Sequence, residues 1–514
     1  MERKDEISNG VSKFERQRQE KLARIKELGI DPYGGRFDGA EPAADVKRRY
    51  KDGQGEALDG IKPAFGGETQ QAKCAGRIVL LREMGSLTFI TLRDSSGTIQ
   101  VGLSKKHLGG QWQLAKLLEV GDIIGVAGVL GKTKTGEITI WVIENSLTLL
   151  SKCLCQPPEK FHSLTDIDQR YRHRFVDLWA NPEVMERFKK RSAIIATIRK
   201  FLESRGFLEV ETPMMQAIPG GAAAKPFVTH HNTLDLDLFL RVSPELFLKR
   251  LLVGGMEKVF EINRNFRNEG LSRQHNPEFT MLELYQAYAD YNVMMDLTEE
   301  IIYLCVEKHC NGSQLSFGDL TVDFSRPWRR AQYAELLKQN SGCDIDDTKA
   351  VRAKARELGV DEAGMDDAVV TNSVFEATVE NNLVDPTFVI DYPAALCPLT
   401  KRKKGNDRPK AGLIRPAYGG FAERFELYIA QMELANAYTE LNDPAEQYEN
   451  FLIQLRGQEE SMRTMDRDYI TALKYGMPPA GGLGIGIDRL IMVLTGATSI
   501  RDVVLFPLLK PKSS

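Results

Sequence analysis

Five short β-rich runs packed into residues 73–150 restrict the fold more than any other feature of this sequence. Arg77 to Arg82, Leu87 to Leu92, Thr98 to Leu103, Ile123 to Leu130 and Ile138 to Val142 are separated by Gly85, Ser95-Ser96-Gly97, Gly121-Asp122 and Thr135-Gly136. So many strands in so short a segment suit a small closed barrel of the OB type. Phe89 falls on one strand, with Arg82, Gln100 and Glu137 near the ends of others. An aromatic platform flanked by polar groups is how such barrels stack and read single-stranded bases. An isolated strand phenylalanine more commonly fills a core, so both roles stand at this point.

On either side of that segment the pattern changes. Residues 12–29 form an amphipathic helix, with Phe14, Leu22, Ile25 and Leu28 among Arg16, Arg18, Lys21, Arg24 and Lys26, stopped by Gly29. Because Glu15, Glu20 and Glu27 interleave, the helix is either a solvated charged surface or a stripe laid along phosphates. After Pro157 and Pro158 a helix capped at Asn181, with Pro182 in its first turn, runs to Gly206. Strands follow at Phe207 to Glu211, Leu238 to Val242, Val259 to Arg267 and Phe279 to Tyr285. Residues 290–386 are helix-dominated and read as an insertion. Strands resume from Thr387, Arg424 and Glu433, and a glycine-rich turn leads into a helix from Asp488 to Thr495. Runs of strands without βαβ alternation indicate an antiparallel α+β domain. The expected organisation is residues 1–72 as helix and linker, 73–155 as the barrel, and 156–514 as the larger domain.

With 68 Lys+Arg against 71 Asp+Glu, the net charge of −3 gives no sign of a polyanion partner, although a local basic patch fits inside a neutral total. A hydrophobic share of 42% excludes a disordered or collagen-like chain. The seven cysteines are scattered with no Cys-x-x-Cys spacing, which argues against a disulfide framework or zinc ribbon. The first residues lack the apolar core of a signal peptide, and Lys249-Arg250 and Asp488-Arg489 interrupt the best apolar runs. A cytoplasmic enzyme without a membrane partner is expected.

Three segments carry groups suited to chemistry. Along Val259 to Tyr285, alternation places Glu261, Asn263, Asn265 and Arg267 on one face of the first strand, and Phe279, Met281, Glu283 and Tyr285 on one face of the second. Charges on buried-looking strands require partners, either a charged ligand or an internal ion-pair network. In the second segment, Glu433 has the opposite parity to Asn436, Tyr438 and Glu440. A turn or a bulge must therefore lie between if Glu426, Glu433 and Glu440 are to converge. Gathered carboxylates call for a cation such as Mg²⁺ or a substrate ammonium. The third segment, Gly481 to Arg489, matches neither dinucleotide nor P-loop spacing, but missing Cβ atoms let a ligand lie against backbone.

In this order the segments resemble the three signature motifs of class II aminoacyl-tRNA synthetases, and in detail the bacterial-type lysyl-tRNA synthetase family, across nearly the whole chain. The motifs are Gly206-Phe-Leu-Glu-Val-Glu-Thr-Pro213 with its preceding helix, Phe266-Arg267-Asn268-Glu269 through Phe279, and Gly482 to Arg489. The resemblance implies an antiparallel-sheet catalytic domain behind an anticodon-binding barrel. It also implies a homodimer built on the first motif, with L-lysine, ATP and tRNA(Lys) as partners and Mg²⁺ as the metal. Arg267 would hold the α-phosphate; Phe279 and Arg489 would sandwich adenine. Glu269, His275 and Asn276 would contact the rest of ATP, and Glu426 and Glu433 would hold Mg²⁺, with Glu426 also among the ATP contacts. Lysine would be held by Gly221, Ala223, Glu245, Arg267, Glu283, Tyr285, Asn436, Tyr438, Glu440 and Gly484. Glu440 would be the unpaired acid for its ε-ammonium, and Glu245 would take its α-amino group. Arg82, Phe89, Gln100 and Glu137 would read the anticodon, which moves Phe89 from core to platform. The basic run Lys401-Arg-Lys-Lys404, with Arg408, Lys410 and Arg415, is expected to touch tRNA phosphates or to be a solvated loop.

Overall fold

The computed structural model describes residues 13–50, 62–63, 70–133, 135–157, 164–222, 224–404, 420–456 and 465–511. The chain divides into two units, residues 1–165 and 166–514.

In the first unit the five expected strands are β1 (Gln71–Met84), β2 (Leu87–Arg93), β3 (Thr98–Ser104), β4 (Ile123–Lys132) and β5 (Ile138–Ser151). They pair in the order β4-β1-β2-β3-β5, and β5 pairs again with β4, which closes the barrel. β1 and β5 are longer than the sequence runs because each continues past a bulge to a further neighbour. In β1 the extension adds buried Ala72 and Cys74 to a core that includes Ile78, Ile90, Ile99, Val101, Ile124 and Ile140. The helix α1 (Lys13–Glu27) buries Ile25 against this core. Its basic face is partly used up internally. Arg18 donates to the carbonyls of Cys153 at 2.8 Å and Val120 at 3.0 Å, and Lys21 pairs with Glu119 at 3.0 Å.

The second unit is built on an eight-stranded sheet. Its strands are β6 (Leu208–Glu209), β7 (Lys258–Phe266), β8 (Glu278–Ala287), β9 (Arg329–Gln332), β10 (Thr387–Pro393), β11 (Phe421–Ile429), β12 (Met432–Thr439) and β13 (Ala480–Gly486), in the order β9-β10-β11-β12-β13-β8-β7-β6. Only the outer pairs β9–β10 and β6–β7 are parallel. The helices α2 (Pro182–Ser204), α4 (Tyr291–His309) and α9 (Ile487–Thr495) cover one face. Ile194, Ile198, Met294, Ile301, Ile302, Leu490 and Ile491 there share one buried core with Leu282, Leu427 and Ile485 of the sheet. The helices α3 (Glu245–Val253) and α8 (Arg467–Lys474) pack together beside the sheet, around Leu248, Val259, Tyr285 and Tyr469.

Two sequence expectations change here. The glycine-rich run is not a turn: residues 480–486 are a central strand between β8 and β12, and α9 begins at Ile487. Within residues 290–386, α4 lies in the main core and β9 extends the sheet. The helices α5 (Tyr333–Ser341), α6 (Thr348–Glu357) and α7 (Asp367–Thr378) form a satellite core that reaches Val389, Tyr392 and Tyr428 of the sheet. Asn181 occupies the N-cap position of α2, but its amide donates to Asp177 at 2.6 Å instead of its carbonyl capping the helix. Among the described residues no helix is long and apolar enough to cross a membrane.

Candidate active site

Antiparallel register assembles the site on one face of the sheet. Glu261 pairs with Glu283, Glu283 with Gly484, Gly484 with Asn436 and Asn436 with Glu426, so one row crosses β7, β8, β13, β12 and β11. The adjacent row runs from Val259 through Tyr285, Gly482 and Tyr438 to Arg424. Paired residues share a face, so polar side chains from strands distant in sequence stand around a trough floored by glycine backbone. At Gly482 a Cβ would collide with the Glu440 carboxylate and lie 2.5 Å from the Tyr285 ring. That contact explains why this strand cannot carry a side chain there. A bulge is present: Leu427 faces Ala435 and Tyr428 faces Glu433, which leaves Leu434 as the extra residue and turns Glu433 toward the site.

Two adjoining cavities open on this face. The larger, about 790 Å³, is lined by Gly221, Ser243, Glu245, Arg267, Glu283, Tyr285, Asn436, Tyr438, Gly482 and Gly484 among others. The smaller, about 110 Å³, is lined by Arg267, Glu269, His275, Asn276, Phe279, Glu433 and Arg489. Arg267, Met281, Asn436 and Gly484 belong to both, so the cavities meet at the Arg267 guanidinium. Ala223 lies outside the described residues.

The larger cavity has an acidic end. Tyr438 donates its hydroxyl to Glu245 Oε2 at 2.6 Å, and Ser243 donates to both oxygens of Glu283, at 2.9 and 3.1 Å. Burial, reinforced by the charge of Glu245, raises the Glu283 carboxyl to about 7. Glu440 differs from expectation. It is fully buried, does not line the cavity, and is not an unpaired acid, because Lys249 Nζ contacts its Oε2. Burial still raises Glu440 to about 8 against the pull of that lysine. Lys249 also donates to Glu245 Oε1 at 2.5 Å. Burial works against its charge, but Glu245 and Glu440 outweigh burial and push its pKa up. The sequence signal for Lys249 was its place four residues after Glu245 on a helix, where the two heads share a face.

The smaller cavity has a cationic end. Arg489 donates from Nη1 to the Glu433 carbonyl at 2.6 Å, and its Nη2 lies 3.0 Å from His275 Nε2. Burial and then the Arg489 charge lower the His275 pKa, which keeps the ring neutral. A neutral ring that accepts at Nε2 carries its proton on Nδ1, where it donates to Ser272 Oγ at 2.8 Å. The Arg267 guanidinium stands 5.1 Å from the Phe279 ring centre, and its buried Nε has no hydrogen-bond partner among the described residues. A buried orphan donor between two cavities is suited to an anionic ligand. Asp488, at the start of α9, accepts from Thr280 N at 2.7 Å and from Arg191 at 2.6 Å, which fixes the base of Arg489.

Glu426 and Glu433 flank the bulge. Glu426 is held by Tyr392 at 2.7 Å, Tyr428 at 2.8 Å and Arg424. Burial pushes its carboxyl up despite Arg424, and Glu433 adds to the rise. For Glu433 burial acts in the same direction, but Arg489 and then Asn436 outweigh it and hold the carboxyl low. Glu433 lines the smaller cavity, whereas Glu426 lines neither cavity and is already held by Arg424 and two tyrosines; a Mg²⁺ ion that arrives with phosphates needs only one or two protein carboxylates. Among the described residues no cluster of three or more His, Cys, Asp or Glu is placed to cage a bare ion.

In the barrel the register sets Arg82 opposite Phe89, Phe89 opposite Gly102, and Gly102 opposite Trp141. Gln100 is opposite Thr139, two residues beyond Glu137. Arg82, Phe89 and Gln100 thus share the side of the sheet that Phe89 presents half-buried, while Thr88, Ile90 and Leu92 turn inward; Glu137 lies just before β5 and pairs with Lys47 at 3.4 Å. Trp141 sits edge-on to Phe89, 5.7 Å between centres, over the bare Cα of Gly102. Sequence reasoning missed this tryptophan; a glycine in a neighbouring strand was its signal. Of the basic run, Lys403 is drawn onto Asp391 at 2.7 Å and Arg402 onto Glu446 at 3.4 Å, while Arg408, Lys410 and Arg415 lie outside the described residues.

Comparison with known proteins adds independent findings. Residues 166–510 match the family of tRNA synthetases class II (D, K and N), and residues 72–145 match the OB-fold nucleic acid binding domain. A lysine–tRNA ligase of Carboxydothermus hydrogenoformans is 50% identical over 504 residues, 96% of this chain and 97% of that protein. One from Syntrophomonas wolfei is 48% identical over 98% of both chains, and one from Magnetococcus marinus is 49% identical over 96% of both.

Proposed function

Because the chain belongs to the class II tRNA synthetases of the D, K and N group, we propose that it is a lysine–tRNA ligase, which activates L-lysine with ATP and transfers it to tRNA(Lys). The observation that carries the choice of lysine is the acidic end of the larger cavity. Glu245 and Glu283 line it and Glu440 lies behind, so it suits a substrate with two ammonium groups, whereas an aspartate or asparagine side chain would need donors there. The near full-length likeness to lysine–tRNA ligases supports the same choice.

In this reading Glu245 and Tyr438 receive the α-ammonium, and Glu283 and Tyr285 receive the distal one, with Glu440 behind them. Gly221, Asn436 and Gly484 shape the walls. Arg267 reaches the substrate carboxylate and the α-phosphate together from the junction of the cavities. The carboxylate oxygen attacks the α-phosphorus, the bond to the bridging oxygen breaks, and pyrophosphate leaves. No general base is required, since the nucleophile is already charged; positioning and charge stabilisation supply the rate. Phe279 and Arg489 enclose the adenine, with Glu269, His275 and Asn276 around the remainder of ATP. Glu426 and Glu433 would hold Mg²⁺, which when bound neutralises charge on the phosphates. In the second step a terminal ribose hydroxyl of tRNA attacks the lysyl carbonyl and AMP departs.

The barrel residues Arg82, Phe89, Gln100 and Glu137 take the anticodon. A homodimer belongs to this reading, supported by exposed Leu208, Met215 and Phe175 around the first motif; sedimentation should give twice the 57.7 kDa chain mass. So does a cytoplasmic location, supported by seven free thiols. The deciding test is ATP–pyrophosphate exchange with each amino acid. Exchange driven by lysine is expected, and exchange driven by aspartate or asparagine instead would overturn the assignment.

A further inference from the structure

Lys249 is the least expected member of the acidic end. Its side chain is fully buried, donates to Glu245, contacts Glu440, and lies 5.4 Å from the Tyr438 ring centre. The groups facing Lys249 and Glu440 are Glu245 from α3, Glu283 and Tyr285 from β8, Tyr438 from β12, and Tyr469 from α8; β13 contributes only the backbone of Gly482. Arg241 and Arg267 act on Glu283, and Arg250 acts on Tyr469.

Once Glu245, Glu283 and Glu440 are all ionised, the Lys249 ammonium matches only one of their three charges. A substrate lysine supplies two ammoniums, its own carboxylate falling to Arg267, and the set then balances at three against three. Its size and place on the helix keep Lys249 from leaving: it is anchored on Glu245 one turn earlier, behind the cavity wall. Resting on the lysine reading above, we propose that Lys249 is a positioning residue whose ammonium pins Glu440 in place behind the cavity wall, so that the acid behind Glu283 and Tyr285 is already aimed at the substrate's distal ammonium. Were Lys249 neutral, Glu440 would keep only the burial and the two neighbouring acids that raise it, and would hold its proton to still higher pH.

The experiment measures lysine-dependent ATP–pyrophosphate exchange between pH 6.0 and 8.5 for the full-length protein, Lys249→Met, Lys249→Arg, Glu440→Gln and the double variant Lys249→Met/Glu440→Gln. Lys249→Met is expected to raise the lysine KM at least tenfold at pH 7. That gap should narrow toward pH 8.5, with kcat and the ATP KM within threefold of the parent. Lys249→Arg should restore the parent profile. Because Lys249 acts through Glu440, adding Lys249→Met to Glu440→Gln should raise KM less than threefold further.

A parent-like profile in Lys249→Met overturns the proposal. So does a loss of kcat and KM together at every pH that Lys249→Arg does not repair. If Lys249→Met alone does not fold, the comparison of the double variant with Glu440→Gln decides, and a further rise of threefold or more overturns the proposal. Failure of the unaltered protein to use lysine would take down the substrate reading and this proposal together. Lysine-driven exchange with an indifferent Lys249 takes down only the latter.

Discussion

Replacing Gly482 with alanine tests the geometry of the acidic end with one methyl group. The added carbon would meet the Glu440 carboxylate and lie 2.5 and 2.8 Å from two carbons of the Tyr285 ring. Neither neighbour yields easily, since Glu440 is fully buried against Lys249 and Tyr285 is 3% exposed. Overpacking of this kind costs about 1–3 kcal/mol. If about 2 kcal/mol falls on the lysine complex through a displaced Glu440, the lysine KM rises about 30-fold, since about 1.4 kcal/mol is tenfold. Steady-state exchange kinetics with lysine and ATP varied separately measure this, alongside thermal unfolding to show that the variant is folded. The same change at Gly484 meets only the flexible end of Met281, at 3.0 Å, and should have a smaller effect. A lysine KM within twofold of the parent in folded Gly482→Ala, or a larger effect at Gly484, would refute the packing argument.

Other outcomes follow from the same site. Glu283 and Glu440 have folded-state pKa values near 7 and 8, above the ordinary carboxyl value, so their stabilising contribution is complete below about pH 4.3 and is lost as pH rises through 7 to 8. The ligand-free melting temperature should carry a downward component across pH 5–8, and the increment gained from added lysine should grow over that window; a scanning-fluorimetry increment that is flat or shrinks would contradict this. Arg267→Ala should lower exchange by about 10²–10³-fold, the usual cost of removing a preorganised charge-stabilising donor. Rapid-quench measurement of adenylate formation locates that loss in chemistry. Phe89→Ala should raise the tRNA KM by about 5- to 150-fold, equivalent to about 1–3 kcal/mol for one stacked base, read in steady-state aminoacylation.

The barrel was legible because its strands alternate and its turns carry Gly, Ser and Asp, and the order of the second unit was legible because it lacks βαβ alternation. Period-two reasoning also pointed to a turn or a bulge near Glu433, since parity is a property of the strand and not of its neighbours. Pairing partners were not legible. Nothing in Gly481–Gly486 announces that β8 lies on one side and β12 on the other, so the run looked like a turn. Lys249 was invisible for a related reason: an i,i+4 pair is commonplace on exposed helices, and only tertiary packing reveals that this one is sealed against a third charge, Glu440. That α4 joins the main core was likewise not legible, because sequence cannot show which core an apolar stripe joins.

The place of β13 in the sheet has a consequence for biogenesis. This strand lies between β8 and β12, yet it follows both in the chain. During synthesis the two halves of the sheet therefore emerge first, each with a bare edge toward the gap, and such edges invite pairing with other chains. The glycine ribbon closes the gap from the middle, by long-range contacts that are slow to form. Nascent chains stopped before residue 480 should accordingly be captured by chaperones or aggregate, and ATP handling should appear only when the ribbon has been threaded.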